Sequence, residues 1–431
     1  MVAQIPSSSD GAWIAAPGWE TVDASSAAAR AEKDAFARNN KKTAAPGVES
    51  GEPASGQKQS FSEDHDGRAD AKDGAARGSD KRRRRRRPQR RKTPVYGALD
   101  LGTNNCRLLV ARPSPEGFRV IDAFSRIVRL GEGASRTGRL GEAAMERTIE
   151  ALKVCTGKMA RRNVTRFRLI ATEACRAAEN GDEFIDRVYQ STGLRLEIID
   201  RETEARLAVA GSAPLIDTEA SSALVFDIGG GSTELMYLSV GDGSHELEEW
   251  VSLPVGVVTL AERYGGVDVD PGIYASMISD VRVALTDFAE RLSTNGTAAD
   301  KLGHMLGTSG TVTTIAGVHL SLERYDRARV DGCWITADNI VDVTQRLLAM
   351  SYDQRAANAC IGPDRADLVL AGCAILDAIM EAWPAERVRV ADRGLREGIL
   401  TQLMAEDGNF GRGPRRRRRR RGRRSAARRQ A

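Results

Sequence analysis

The sequence predicts an α/β protein of two related lobes, and three observations carry that expectation. Two stretches look like copies of each other, Asp100-Leu-Gly-Thr-Asn-Asn-Cys-Arg-Leu-Leu-Val110 and Asp227-Ile-Gly-Gly-Gly-Ser-Thr-Glu-Leu-Met-Tyr237. Each follows a short apolar run and enters another, which reads as a strand, a tight turn and an antiparallel strand. After each hairpin, strand-like and helix-like patterns alternate. A chain of 431 residues is long enough to give two lobes their own cores.

The elements follow in order. Residues 1–93 are rich in Ala, Ser, Gly, Asp and Glu and cannot bury enough apolar surface to offset chain entropy, so a disordered tail is expected. The basic run 81–92 closes it. Lobe I is expected over 94–210. It opens with strands at 95–99, 106–111 and 118–125, followed by the loop Arg129-Leu-Gly-Glu-Gly133. Met145, Ile149, Leu152 and Met159 recur at helical spacing within 142–162. A strand at 166–171 and a helix at 183–190, with Asp182 as its N-cap, come next. A strand at 194–199 then leads to a helix at 202–210 with two acids in its first turn. Lobe II is expected over 211–407. Strands read at 223–226, 235–240 and 246–253, and helices at 257–264 and 274–292. A short buried strand at 304–306 runs into Gly307-Thr-Ser-Gly-Thr311 and a helix. Further helices read at 338–350, 367–382 and 395–404, with a strand at 388–390. A hinge is expected near 205–215, and the last helix is a candidate to cross back onto lobe I. Residues 408–431 form an Arg-rich tail.

Charge is segregated. The net charge is +5, yet residues 81–92 carry ten Lys/Arg and 412–431 carry twelve Arg, with no acid in either run. The body between the tails is therefore acidic. Six scattered cysteines include no CxxC pair, which argues against zinc or a redox dithiol and for reduced thiols in the cytoplasm. No apolar run approaches the ~18 residues of a membrane span, and residues 1–20 lack a secretory signal pattern.

Three glycine-rich turns, at 102–105, 229–232 and 307–311, end apolar runs. Glycine allows close backbone approach, successive turn N–H groups bind anions, and the third turn opens a helix whose N-terminus favours an anion. There is no GxxxxGK[ST] and no GxGxxG after a strand, which excludes P-loop and dinucleotide folds. The four His, at 65, 245, 304 and 319, are isolated, so carboxylates are the available bases and metal ligands.

These features resemble the exopolyphosphatase/guanosine pentaphosphate phosphatase (Ppx/GppA) family, in its short two-domain form. The resemblance rests on residues 95–110, 227–234 and 307–311, with Ala171-Thr-Glu-Ala-Cys-Arg176, Ile199-Asp-Arg-Glu-Thr-Glu-Ala-Arg-Leu207 and Asp392-Arg-Gly-Leu-Arg-Glu-Gly398. It implies the two-lobed actin-like ATPase superfold of sugar kinases, heat-shock chaperones and actin, with duplicated hairpin-led lobes. It also implies Glu204 as the general base that activates water against a terminal phosphorus. Gly102, Thr103, Asn104, Gly229, Gly230, Gly231, Ser232, Ser309, Gly310 and Thr311 would cradle phosphate oxygens, and Arg107 and Arg176 would add cationic contacts. Asp227, with Asp100 or Glu234, would hold Mg²⁺ directly or through water. The implied substrate is inorganic polyphosphate, with guanosine pentaphosphate (pppGpp) as the alternative. Pairing into a homodimer rests on the resemblance alone.

Other classes stay open. An ATP-using kinase or ATPase of the same superfold would need a nucleoside pocket in lobe II, and no signature of one is found. A polyphosphate- or alarmone-binding module tethered to RNA by its tails is the non-enzymatic alternative, against which Glu204 argues. The tails are expected to gather polyanions, polyphosphate or RNA.

Overall fold

The computed structural model describes residues 3–5, 93–241, 244–294 and 302–410. The tail expectations for the remaining residues of 1–92 and for 411–431 lie outside the described residues. Ala3–Ile5 (β1) departs from the expected disorder. It lies antiparallel on 245–247 of β9 (Ser244–Leu253), giving the backbone groups at that sheet edge a partner.

Both faces of each central sheet are apolar, and this sets the architecture. In lobe I, β2 (Tyr96–Leu101) pairs antiparallel with β3 (Asn105–Ser114), which pairs with β4 (Gly117–Ile127). β2 also pairs parallel with β5 (Arg166–Ala171), and β5 with the short β6 (Glu197–Ile198), giving the order β4-β3-β2-β5-β6. Residues alternate between faces. Leu99, Leu101, Leu108 and Val110 pack on α2 (Glu142–Arg162) and α4 (Gly181–Thr192) through Ile149, Leu152, Phe184 and Val188. Tyr96, Ala98, Leu109 and Ala111 face the other way. The α4 cap position is Asn180 rather than Asp182, and the Asn180 side chain bonds both backbone groups of Leu140. The strand expected over 194–199 is paired only at β6; Leu194, Leu196 and Ile199 are nonetheless buried.

Lobe II repeats the hairpin. β7 (Ser222–Ile228) pairs antiparallel with β8 (Thr233–Gly241), β8 with β9, and β7 parallel with β10 (Met305–Thr308). The sheet continues through β12 (Arg387–Ala391) to β11 (Trp334–Thr336). One face packs on α7 (Pro271–Thr294), α8 (Ser309–His319), α10 (Ala337–Ala349) and α12 (Val369–Ala382). Shorter helices are α1 (Ala134–Thr137), α3 (Glu173–Ala177), α6 (Val257–Tyr264), α9 (Arg327–Val330) and α11 (Tyr352–Ala357).

Two helices exchange between the lobes. Helix α5 (Arg201–Ser212) leaves the lobe I sheet and packs Ala205, Ala208 and Val209 on Ala223, Val225, Met236 and Leu238 of lobe II. The last helix, α13 (Leu395–Glu406), leaves the lobe II sheet and packs Ile399, Leu400, Leu403 and Met404 on Tyr96, Ala98, Leu109 and Ala111 of lobe I. The two cross at backbone contact. A methyl at Gly211 would sit 1.9 Å from the Gly394 oxygen, and one at Gly398 2.1 Å from the Leu207 oxygen. The boundaries 94–210 and 211–407 read along the chain are thus crossed by packing, and the stretch expected to hinge is helical through Ser212. Across the mouth between the lobes, Arg129 donates to both oxygens of Asp367 at 2.8 Å, and the Gly133 N–H donates to Glu262 Oε1 at 2.6 Å.

Candidate active site

The two hairpin turns meet at the bottom of the interlobe cleft. In the first, the Gly102 N–H donates to the Asn105 oxygen at 2.9 Å; in the second, the Gly229 N–H donates to the Ser232 oxygen at 2.9 Å. Each turn is held from behind. The N–H groups of Val128, Arg129 and Gly131 bond the Asn104 and Thr103 oxygens, and those of Val257 and Val258 bond the Gly229 and Gly230 oxygens. The turns also touch each other: a methyl at Gly230 would lie 3.0 Å from Thr103 Cβ, and one at Gly231 2.6 Å from Thr103 Oγ1. The glycines of the second turn are needed for this approach.

Thirteen of the expected site residues share one cleft wall: Asp100, Gly102, Thr103, Asn104, Arg107, Glu204, Asp227, Gly229, Gly230, Gly231, Ser232, Glu234 and Ser309. Gly310 and Thr311 line an adjoining recess with Arg365, Leu368 and Val369. Ser309 opens α8 at φ 78°, a left-handed conformation uncommon outside glycine. Gly307 lies within β10 against the Phe226 ring, so its role is packing. Ser232 spends its hydroxyl on Glu234 Oε1 at 2.7 Å, and Ser252 donates to the same oxygen at 2.8 Å. The N–H groups of Gly230, Gly231 and Ser232, which do not close the turn, face an anion site instead.

The electrostatics are those of an acid-rich cleft. Burial raises the carboxyls of Asp100 and Asp227 above their usual range. Burial and then the Asp227 charge push Glu234 up to about 7. Burial, and next Glu234, raise Glu204 well above the ordinary carboxylate range. Crowded buried acids of this kind favour a cation. Among the described residues no three His, Cys, Asp or Glu converge into a metal-ligand group. Magnesium usually takes one or two carboxylates and completes its shell with water and substrate phosphate, and these hard oxygen donors fit that pattern.

Glu204 is positioned by its helix and by Arg176. Asp200 caps α5 by accepting from the Thr203 N–H at 2.7 Å, which places Glu204 in the helix's first turn on the cleft wall. Arg176 donates to Glu204 Oε2 at 2.9 Å, to Glu173 Oε2 at 2.6 and 3.0 Å, and to the Ile199 oxygen at 2.6 Å. Arg176 is therefore absent from the cleft wall. A direct phosphate contact is expected of Arg176 from the sequence; in the structure its Nε, Nη1 and Nη2 each donate to protein oxygens.

A profile of the Ppx/GppA phosphatase family matches residues 109–407. The chain belongs to this family. It is 30% identical over 321 residues to exopolyphosphatase 2 of Mycobacterium tuberculosis, covering 71% of this chain and 97% of that protein. It is 29% identical to the guanosine-5'-triphosphate,3'-diphosphate pyrophosphatase of Aeromonas salmonicida, covering 73% of this chain and 60% of that protein. The crystal structure of the Aquifex aeolicus Ppx/GppA family member superposes with a TM-score of 0.60 at 28% identity, covering 73% of this chain and 98% of that one. This similarity agrees with the two-lobed α/β architecture of two mixed sheets. Among the described residues no helix is long and apolar enough to cross a membrane.

In this Ppx/GppA chain the cleft also holds residues beyond those named above for phosphate, metal and catalysis. Asn105, Thr172, Glu173, Thr308, Asp392, Arg393, Gly394, Leu395 and Arg396 complete the wall. The segment 392–396 arrives from the far end of the chain, ahead of the returning helix α13. Its motif was visible in the sequence, but which of its two arginines is free to meet a ligand depends on tertiary partners.

Proposed function

We propose that this chain is an exopolyphosphatase, which hydrolyses the terminal phosphoanhydride of inorganic polyphosphate and releases orthophosphate. The observation that carries the reading is Glu204 on the wall of a cleft built from two glycine turns. Arg176 occupies Oε2 of Glu204, and Oε1 has no protein donor among the described residues. The terminal phosphoryl binds to the N–H groups of Thr103, Asn104, Gly230–Ser232 and Ser309–Thr311, with Arg107 as counter-charge, while the Gly102 and Gly229 N–H groups close their turns. Oε1 of Glu204 takes a proton from water as the water oxygen bonds to phosphorus. The bond to the bridging oxygen breaks and its electron pair leaves with the shortened chain. Asp227, with Asp100 or Glu234, would hold Mg²⁺, which when bound neutralises charge on the phosphate oxygens. Phosphoryl transfer depends mainly on such positioning and charge neutralisation.

The pppGpp reading involves the same terminal anhydride, and the Aeromonas relative supports keeping it as the competing substrate. The decisive assay is orthophosphate release from polyphosphate and from pppGpp, with Mg²⁺ and with chelator. Glu204→Gln is expected to lower turnover by roughly 10²- to 10⁴-fold. Full turnover in that variant would refute the base assignment. Binding of polyphosphate without any release by the wild type would favour the binding-module reading.

The basic runs are proposed to gather polyanions in front of an acidic body. Neutralising the basic residues of 81–92 and deleting 412–431 should weaken binding of long polyphosphate and flatten its salt dependence. An unchanged salt slope would rule the role out. The cytoplasm is the proposed compartment, supported by six cysteines that are all free.

A further inference from the structure

We infer that Arg396 binds substrate directly, its guanidinium taking a phosphate oxygen together with Arg107 on the Asp100 side of the cleft. The inference deepens the phosphoanhydride reading above and rests on it.

The two arginines of the segment 392–396 differ in their partners. Arg393 is neutralised by Asp331: its Nε lies 3.2 and 3.1 Å from the two carboxylate oxygens, and its Nη2 donates to Oδ2. Arg396 lines the cleft, half-buried, and among the described residues it has no hydrogen bond and no salt bridge. Its acidic neighbours are Glu397, Asp100 and Asp392. Glu397 already accepts from Arg327 at 2.9 Å and from the Gly394 N–H at 3.1 Å. Asp392 accepts from the Tyr325 hydroxyl at 2.7 Å. Asp100 stands opposite Arg107 across the lobe I hairpin, and Arg107 likewise has no hydrogen bond or salt bridge among the described residues. Two unpaired guanidinium groups therefore share the neighbourhood of one carboxylate. Holding such cations out of water is costly unless an anion joins them, and a guanidinium fork suits phosphate.

The fold also fixes Arg396 relative to the base. Arg396 lies in the first turn of α13, and Glu204 lies on α5. These helices meet where a methyl on Gly211 or Gly398 would come within 1.9 or 2.1 Å of a backbone oxygen. Backbone packing that close prevents sliding. The cation from the end of the chain and the base from its middle thus hold one register.

The test compares wild type, Arg396→Gln and Arg396→Lys. R396Q is expected to lower kcat/KM for polyphosphate about 100-fold and to weaken inhibition by orthophosphate about tenfold, with an unchanged Tm. R396K, which keeps charge but loses the fork, should recover part of both. A kcat/KM and an orthophosphate inhibition constant within twofold of wild type in R396Q would overturn the inference. So would equal losses in both variants that follow a fall in Tm, since that marks a scaffold residue. If R396Q does not fold, R396K decides alone: weakened orthophosphate inhibition supports the assignment and unchanged inhibition refutes it. If the wild type releases no phosphate, the exopolyphosphatase reading fails. Calorimetric binding of tripolyphosphate by wild type and R396Q still tests Arg396: weaker binding by R396Q supports the assignment, and equal binding refutes it.

Discussion

In the lobe I hairpin Asp100 stands opposite Arg107; in the lobe II hairpin the corresponding Asp227 stands opposite Glu234. The backbones match: each strand ends in Asp and one aliphatic residue, and each turn closes with one N–H to an oxygen three residues on. The charges do not. The first hairpin presents a cation without a salt-bridge partner among the described residues. The second presents two acids, half-buried Asp227 and buried Glu234, and Glu234 receives two serine hydroxyls. One duplicated geometry thus yields a side that can hold phosphate and a side that can hold its counter-ion. The turns differ sterically as well. A methyl on Gly102 would meet nothing nearer than 3.8 Å, whereas one on Gly229 would lie 2.8 Å from the Ser232 oxygen.

The largest effect that would break this contrast is loss of the cation. Arg107→Gln should lower kcat/KM for polyphosphate by roughly 10²- to 10³-fold, as for removal of a group stabilising transition-state charge. Steady-state phosphate release checks it, and a change below about threefold would remove Arg107 from the phosphate side. Next comes the steric difference. Gly229→Ala should cost about 1–3 kcal/mol of stability by overpacking against a backbone oxygen, read from denaturant midpoints at constant slope.

The acid side is tested by pH. The carboxyl of Glu234 is raised to about 7 in the folded chain, so the folded state holds a proton that the unfolded chain releases near 4.5. That contribution to stability is fully present below pH 4.5 and is lost as pH rises through about 7. Without Mg²⁺, stability should therefore fall across that window, by an amount of the order of 3 kcal/mol from this group. Glu234→Gln should flatten the profile, and an identical profile in the variant would show that other groups set it. The smallest effect is expected at Gly102→Ala, where the protein leaves room: stability should change by less than about 1 kcal/mol. A larger loss would mean that the first turn is as confined as the second.

Much of this was legible along the chain, for identifiable reasons. The hairpins are local, so turn glycines and apolar runs mark them directly, and Glu142–Arg162 has a helical period strong enough to fix both its ends. Short elements were harder. Trp334–Thr336 and Tyr352–Ala357 carry too few residues to show a period, and 194–199 has the residues of a strand but pairing partners for only two. At the site, the motif carrying Arg176 was legible, but its pairing with Glu204 was not. Arg393 and Arg396 look alike in sequence and separate only once Asp331 is seen to hold one of them.

The sequence by itself determined the duplicated hairpins, the glycine turns and the supply of carboxylates, because turn geometry and strand periodicity are set by residues close together in the chain. Tertiary structure alone decided that α5 and α13 trade lobes, that Arg176 pairs with Glu204, and that Arg396 reaches the cleft. Those outcomes depend on which distant surfaces bury one another and which charges are already paired, and neither is written in local spacing.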